Sequence, residues 1–252
     1  MTPLFDANAH PVLASGGGTG DFSTLKALLD KSAFRGACAV GLPAKDGFEP
    51  RSYIISARAH GFFPVAAWNS TPGIKVQLAQ LAGLGYRAIK IHPRLSGLSV
   101  RDPEFCDVLR AAAEAGLIVF HCSYQFTADP LHTADPLPAL LDAVSRAPGL
   151  RMVLLHGGTV ELLRYAEAIR ANRNLLLDLS FTLNRYDGSS LDQDIAFLFR
   201  TFDQRICIGS DYPDYAPAQV RARFEYFAAE LPQEKRDNIG WRNITTMLEF
   251  VP

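Results

Sequence analysis

Short apolar runs alternate with longer amphipathic stretches along the whole chain. The first run, residues 4–10, alternates apolar and polar positions. That spacing puts Asp6, Asn8 and His10 on one face of a strand and Phe5, Ala7 and Ala9 on the other. Further strands are predicted over residues 36–43, 62–69, 86–93, 117–124, 151–157, 174–181 and 205–212. Helices are predicted over 22–31, 50–60, 73–83, 103–115, 137–147, 160–171, 191–202 and 217–230, with two short ones over 233–238 and 241–250. Pro50 suits a first helical turn, and Gly83 and Gly116 suit helix ends.

Eight strands thus alternate with eight helices at about 30 residues per unit, the size of a βα repeat. The strands are rich in Val, Ile, Leu, Ala and Phe, as parallel strands covered on both faces must be. The expected fold is a single α/β domain over residues 1–252, a (β/α)8 TIM barrel closed by short C-terminal helices.

Chemistry in such a barrel sits at the carboxyl ends of the strands. Polar residues collect there: Asn8 and His10 on strand one, Lys90 and His92 on strand four, His121 on strand five, His156 on strand six and Asp211 on strand eight. Each alone reads as a hydrogen-bonded structural residue. Their repetition at the same end of five strands points to a shared site. Imidazoles and a carboxylate suit zinc or manganese, and a carboxylate beside an activated water is a natural base. Of the other histidines, His60 ends a helix and His132 lies in the loop after strand five.

Composition narrows the classes. The chain has 252 residues, 48% hydrophobic and 20% charged, with net charge −1 and acids and bases interspersed. No nucleic-acid face or membrane-seeking surface is indicated, so a small-molecule substrate is the expected partner; self-association into a homo-oligomer stays open. Cys38, Cys106, Cys122 and Cys207 show neither close pairing nor metal-knuckle spacing and read as free thiols, three of them in apolar strands. With no signal-peptide pattern and no long apolar run, a cytoplasmic location is expected. The segment Ala14-Ser15-Gly16-Gly17-Gly18-Thr19-Gly20 is glycine-rich but lacks the Lys-Ser/Thr of a phosphate loop.

Five segments then carry a resemblance: Phe5-Asp6-Ala7-Asn8-Ala9-His10, Ile89-Lys90-Ile91-His92-Pro93, Val119-Phe120-His121, Leu154-Leu155-His156-Gly157 and Ile208-Gly209-Ser210-Asp211-Tyr212-Pro213. In order and strand placement they resemble the motifs of the amidohydrolase superfamily. They are most similar to the branch holding small metal-dependent hydrolases and the related aromatic-acid decarboxylases. Residues 243–250 resemble that branch's closing helix.

The resemblance implies one divalent ion, Zn²⁺ or Mn²⁺. His10, His121 and Asp211 match ligand positions, with Asn8 assisting, and His156 matches a residue that binds metal or polarises the substrate. Lys90 matches a position that in some members is a carbamylated, metal-bridging lysine, a role not expected here. Asn8 departs from the pattern, which has His there, or Glu in decarboxylases. An amide oxygen is a weaker donor and should leave the ion labile or absent.

The activity implied is hydrolysis of a carbonyl centre (lactone, amide or ester), with Asp211 as base and His156 stabilising the oxyanion. Non-oxidative decarboxylation of an aromatic or unsaturated acid is the alternative. A metal-free lactonase or a non-catalytic ligand-binding barrel stands behind both. Arg94, Lys90, His92 and Tyr124 are the candidate substrate-binding residues, with His132 and Arg185 as further pocket-wall positions.

Overall fold

The computed structural model describes residues 1–13, 21–43, 48–69, 73–124 and 135–252. The glycine-rich segment and His132 lie outside them. Eight parallel strands run in the order of the chain: β1 (Leu4–Ala9), β2 (Phe34–Val40), β3 (Phe63–Ala67), β4 (Ala88–Ile91), β5 (Ile118–Cys122), β6 (Met152–Leu155), β7 (Leu175–Asp178) and β8 (Ile206–Cys207). Around them lie α1 (Phe22–Lys31), α2 (Pro50–Ala59), α3 (Ile74–Gly83), α4 (Pro93–Ser96), α5 (Pro103–Glu114), α6 (Leu137–Ser145), α7 (Leu162–Ile169), α8 (Thr182–Arg185), α9 (Leu191–Thr201) and α10 (Pro217–Ala228). The chain closes with α11 (Gln233–Asp237) and α12 (Asn243–Leu248). This is the expected (β/α)8 barrel. The turns α4 and α8, just past β4 and β7, are not visible in the apolar pattern.

The seam between β8 and β1 joins the two ends of the sheet. Ala7 N donates to Ile208 O (2.9 Å), His10 N to Tyr212 O (2.9 Å) and Asp211 N to Asn8 O (2.7 Å), and Ala9 bridges to Tyr212. The segment after Cys207 therefore carries Asp211 across the end of β1. Gly209 permits this approach. A Cβ there would stand 2.8 Å from Asn8 N, 3.0 Å from Ser180 Cβ and 3.1 Å from Asp6 Oδ1.

Two apolar layers follow from strand alternation. Inside the barrel, Cys38, Val40, Phe63, Val65, Ala88, Ile118, Phe120, Val153, Leu155, Leu176 and Cys207 form one cluster. Ile244 and Leu248 of α12 join it, and Phe250 meets Phe5 and Phe63 edge-on, so the C-terminal segment plugs the floor. The alternate strand residues face the helices in a second, larger cluster.

β1 is less regular than its alternation predicts. Its register against β2 shifts between Leu4 and Phe5 and again between Asp6 and Ala9. Phe5 and Ala7 join the inner cluster while Ala9 joins the outer one. Such slips redirect side chains at a barrel rim. No helix among the described residues is long and apolar enough to cross a membrane.

Candidate active site

Asp211 is the hub. It lies just beyond β8 in a left-handed conformation (φ 56°), and its Oδ1 meets two side chains from β1 and its end. Asn8 Nδ2 donates to it at 2.7 Å, and His10 Nε2 stands 3.1 Å away. The second amide hydrogen of Asn8 goes to Ser180 Oγ at 3.1 Å. His10 Nδ1 donates to Val40 O at 2.7 Å, which fixes the ring and turns Nε2 inward. Lys90, on the inner face of β4 and only 1% exposed, places Nζ 3.0 Å from that Nε2.

Ser180 links this group to β6 and β7. Its hydroxyl donates to Asp178 and meets His156 Nδ1 at 3.2 Å, as does its carbonyl. Below the hub, the buried Asp6 carboxylate accepts from Ser210 N (2.8 Å), Ser210 Oγ (2.5 Å) and Asn8 N (3.1 Å). It thereby ties the Asp211 segment to β1.

Electrostatics follow from burial set against neighbouring charge. Burial alone would raise the Asp211 pKa, but charge on His156, the His10 contact and Lys90 hold it far below the usual carboxylate range. Burial alone would disfavour the His156 imidazolium, but the Asp211 carboxylate and the Cys122 sulfur raise it to about 9. Burial lowers His10 and Lys90 from their ordinary values, and lowers His121 to about 4. Burial raises Asp6 to about 7 and Asp178 to about 6.

Strand parity separates the predicted residues. Cys122 pairs in register with Leu155 of the inner cluster, whereas His121 pairs with Leu154 of the outer one. The His121 ring lies edge-on to Phe105 of α5, and its Nδ1 has no partner among the described residues. The structure thus brings together Asn8, His10, Lys90, Asp211 and His156, and turns His121 toward the helix layer. Cys122 takes the inward place instead. Burial alone would raise its pKa, but the His92 and His156 side chains nearby pull the thiol far below its ordinary value.

The sequence pattern reads Cys122 as a free thiol in an apolar strand and does not single out Ser180 or Asp178. Asp178 and Ser180 stand at alternate positions in the leucine-rich run Leu175-Leu176-Leu177-Asp178-Leu179-Ser180, a signal that could have found them.

The wall above the hub is aromatic. Tyr124, His156 and Tyr215 each present an edge to Phe181, at centroid distances of 5.5, 5.9 and 5.9 Å. Arg94 of α4 lies over the Tyr124 ring at 4.8 Å. Arg185, at the end of α8, hydrogen-bonds Tyr215.

The expected divalent ion does not fit these residues. Among the described residues no three His, Cys, Asp or Glu side chains come close enough to share an ion. Asn8 offers its NH2 rather than its oxygen, His121 faces away, and Lys90 occupies the inward nitrogen of His10. The set expected to hold Zn²⁺ or Mn²⁺, Asn8, His10, His121, His156 and Asp211, is not gathered around one point among the described residues.

A (β/α)8 barrel with buried imidazole, carboxylate and amine groups gathered past its strand ends has the build of a barrel enzyme. The particular family follows from sequence comparison. The Amidohydro_2 family of amidohydrolases matches residues 52–250, and the chain belongs to it. The match begins after β1 and leaves out the strand that carries Asn8 and His10.

Among solved structures, an uncharacterized TIM-barrel protein from Bordetella bronchiseptica superposes with a TM-score of 0.78 at 15% identity, over 98% of each chain. An Acinetobacter baumannii protein, described as a probable 2-pyrone-4,6-dicarboxylic acid hydrolase with citric acid bound, gives 0.71 at 15% identity, over 98% of this chain and 99% of its own. A 5-carboxyvanillate decarboxylase from Novosphingobium aromaticivorans, with bound manganese, gives 0.68 at 13% identity, over 99% of this chain and 97% of its own. No curated protein matches. At these identities the solved structures establish the shared fold.

Proposed function

We propose that this amidohydrolase hydrolyses a carbonyl centre, a lactone or ester, in a small planar molecule that carries a carboxylate. The observation that carries the reading is the buried Asp211 carboxylate, held by Asn8 and His10 beside a His156 that is protonated at neutral pH. Asp211 orients the attacking water and takes its proton as the water oxygen bonds to the carbonyl carbon. The carbonyl electron pair moves onto oxygen, where the His156 imidazolium donates a hydrogen bond to the oxyanion. Collapse of the intermediate breaks the bond to the leaving oxygen, which takes the proton back from Asp211.

The rings of Tyr124, Phe181 and Tyr215 favour a planar substrate, and Arg94 and Arg185 at their edge favour an anionic one. The hydrolase among the fold neighbours, described as acting on a pyrone dicarboxylic acid, supports the same class. Decarboxylation is the second reading. A protonated His156 could equally deliver a proton to a ring carbon, and four neighbouring barrels are described as decarboxylases of aromatic acids.

Incubation with planar lactone and ester carboxylates, against hydroxybenzoates monitored for CO2, separates the two. Ring opening or ester cleavage is expected, and Asp211→Asn should lower kcat by about 10²–10⁴-fold. Release of CO2 without hydrolysis would transfer the assignment to the second reading. Turnover of neither class would overturn both.

A further inference from the structure

We infer that Lys90 holds the place of the divalent ion implied by resemblance to metal-dependent amidohydrolases, so that this site works without metal. The inference rests on where the site lies and not on which reaction it performs. An imidazole nitrogen has one in-plane lone pair. His10 Nδ1 commits its hydrogen to Val40 O, so Nε2 is the nitrogen left to face the site. Nε2 meets Lys90 Nζ at 3.0 Å. Whether a neutral Nε2 accepts from Lys90 Nζ or a protonated Nε2 donates to Asp211 Oδ1 at 3.1 Å, the lone pair an ion would use is engaged.

A zinc ion needs that nitrogen at about 2.0–2.1 Å. Lys90 cannot readily withdraw. It is 1% exposed, packed inside the barrel, and lies in register with Ala67 of β3 and Phe120 of β5.

Asn8 completes the exchange. Both hydrogens of its amide are used, one on Asp211 and one on Ser180. Reversing the amide would set its oxygen against the Asp211 carboxylate, so the donor side faces the hub. Where a histidine or glutamate would present a ligand, Asn8 presents a donor. The two positions form a matched pair: Asn8 removes a ligand, and Lys90 fills the space and provides the nitrogen that meets His10. Lys90 touches His10 rather than the reacting atoms and is a positioning residue.

The test is metal binding, read without substrate, so its outcome is independent of the proposed reaction. The full chain is compared with Lys90→Met and with the double variant Asn8→His/Lys90→Met, using metal analysis and Mn²⁺ spin resonance. Wild type should carry far less than one ion per chain before and after chelation. The double variant should bind Mn²⁺ about 100-fold more tightly than wild type. Thermal unfolding of each variant without metal checks that it folds.

In the unmutated protein, ¹⁵N shifts of the His10 ring should not move when Zn²⁺ is added. This reading needs no variant. A stoichiometric ion in wild type, a His10 Nε2 shift on adding Zn²⁺, a carbamylated Lys90 in the intact mass, or a folded double variant that gains no affinity would each overturn the inference.

Discussion

His156 joins two parts of the site that the chain keeps apart. Its Nδ1 meets Ser180, and its charge is balanced by Asp211 and Cys122. If its protonated form supports the oxyanion, kcat/KM should fall as pH rises through about 9. His156→Gln should be slower and should lose that limb of the profile; a limb that persists in the variant would assign it to another group. The same shift has a stability consequence. A histidine raised above its unfolded value of about 6.5 stabilises the fold fully below that pH and loses the contribution as pH rises through about 9.

At this scale chemistry was easier to read than direction. Asn8, His10, Lys90, His156 and Asp211 are visible as polar residues at strand ends. That His121 turns outward and Cys122 inward is not, because a strand of five residues carries no internal mark of which face meets the barrel axis.

Among the elements, the β8–β1 seam sets the geometry of the site. Three main-chain hydrogen bonds and the Asp6–Ser210 contacts hold the Asp211 segment against β1. Gly209→Ala would push a methyl group onto the Asn8 backbone. It should cost about 1–3 kcal/mol in chemical denaturation, with the denaturant slope unchanged. It should also lower kcat more than it raises KM, since Asn8 and Asp211 would part. A full-activity, full-stability variant would show the seam to be looser than it looks.

Pattern reasoning placed β8 over residues 205–212, whereas regular pairing covers Ile206–Cys207. The rest of the predicted strand is the irregular seam, which resembles a strand in composition because it too is buried. The turns α4 and α8 escaped notice because one helical turn is too short to show a period.

For the whole molecule, buried acids tie stability to pH. Asp6 is raised to about 7 and Asp178 to about 6, both chiefly by burial. An acid whose folded pKa lies above its unfolded value favours folding most at low pH. The contribution of this pair should be complete below about pH 4 and lost as pH rises through about 6 to 7. Asp211 acts in the opposite sense, stabilising above about pH 4 and losing that contribution at lower pH. Asp6→Asn should therefore flatten the decline in stability between about pH 4 and pH 7. Denaturation midpoints at matched pH values would read this directly. An unchanged slope would mean that Asp6 does not titrate in that range.

The sequence by itself determined the eightfold strand–helix alternation, the barrel and the strand ends at which polar residues gather. Hydrophobic period is a local property and needs no partner to be expressed. The five motif segments also carried the family. Only the tertiary structure decided which of those residues meet. Register and barrel closure choose the inward face of each strand, and a shift of one residue exchanges it. That choice turned His121 outward and brought Cys122 in, and it set Lys90 Nζ against His10 where an ion was expected. Asn8, read from the sequence as a weak ligand, becomes in the folded chain the donor that steadies Asp211.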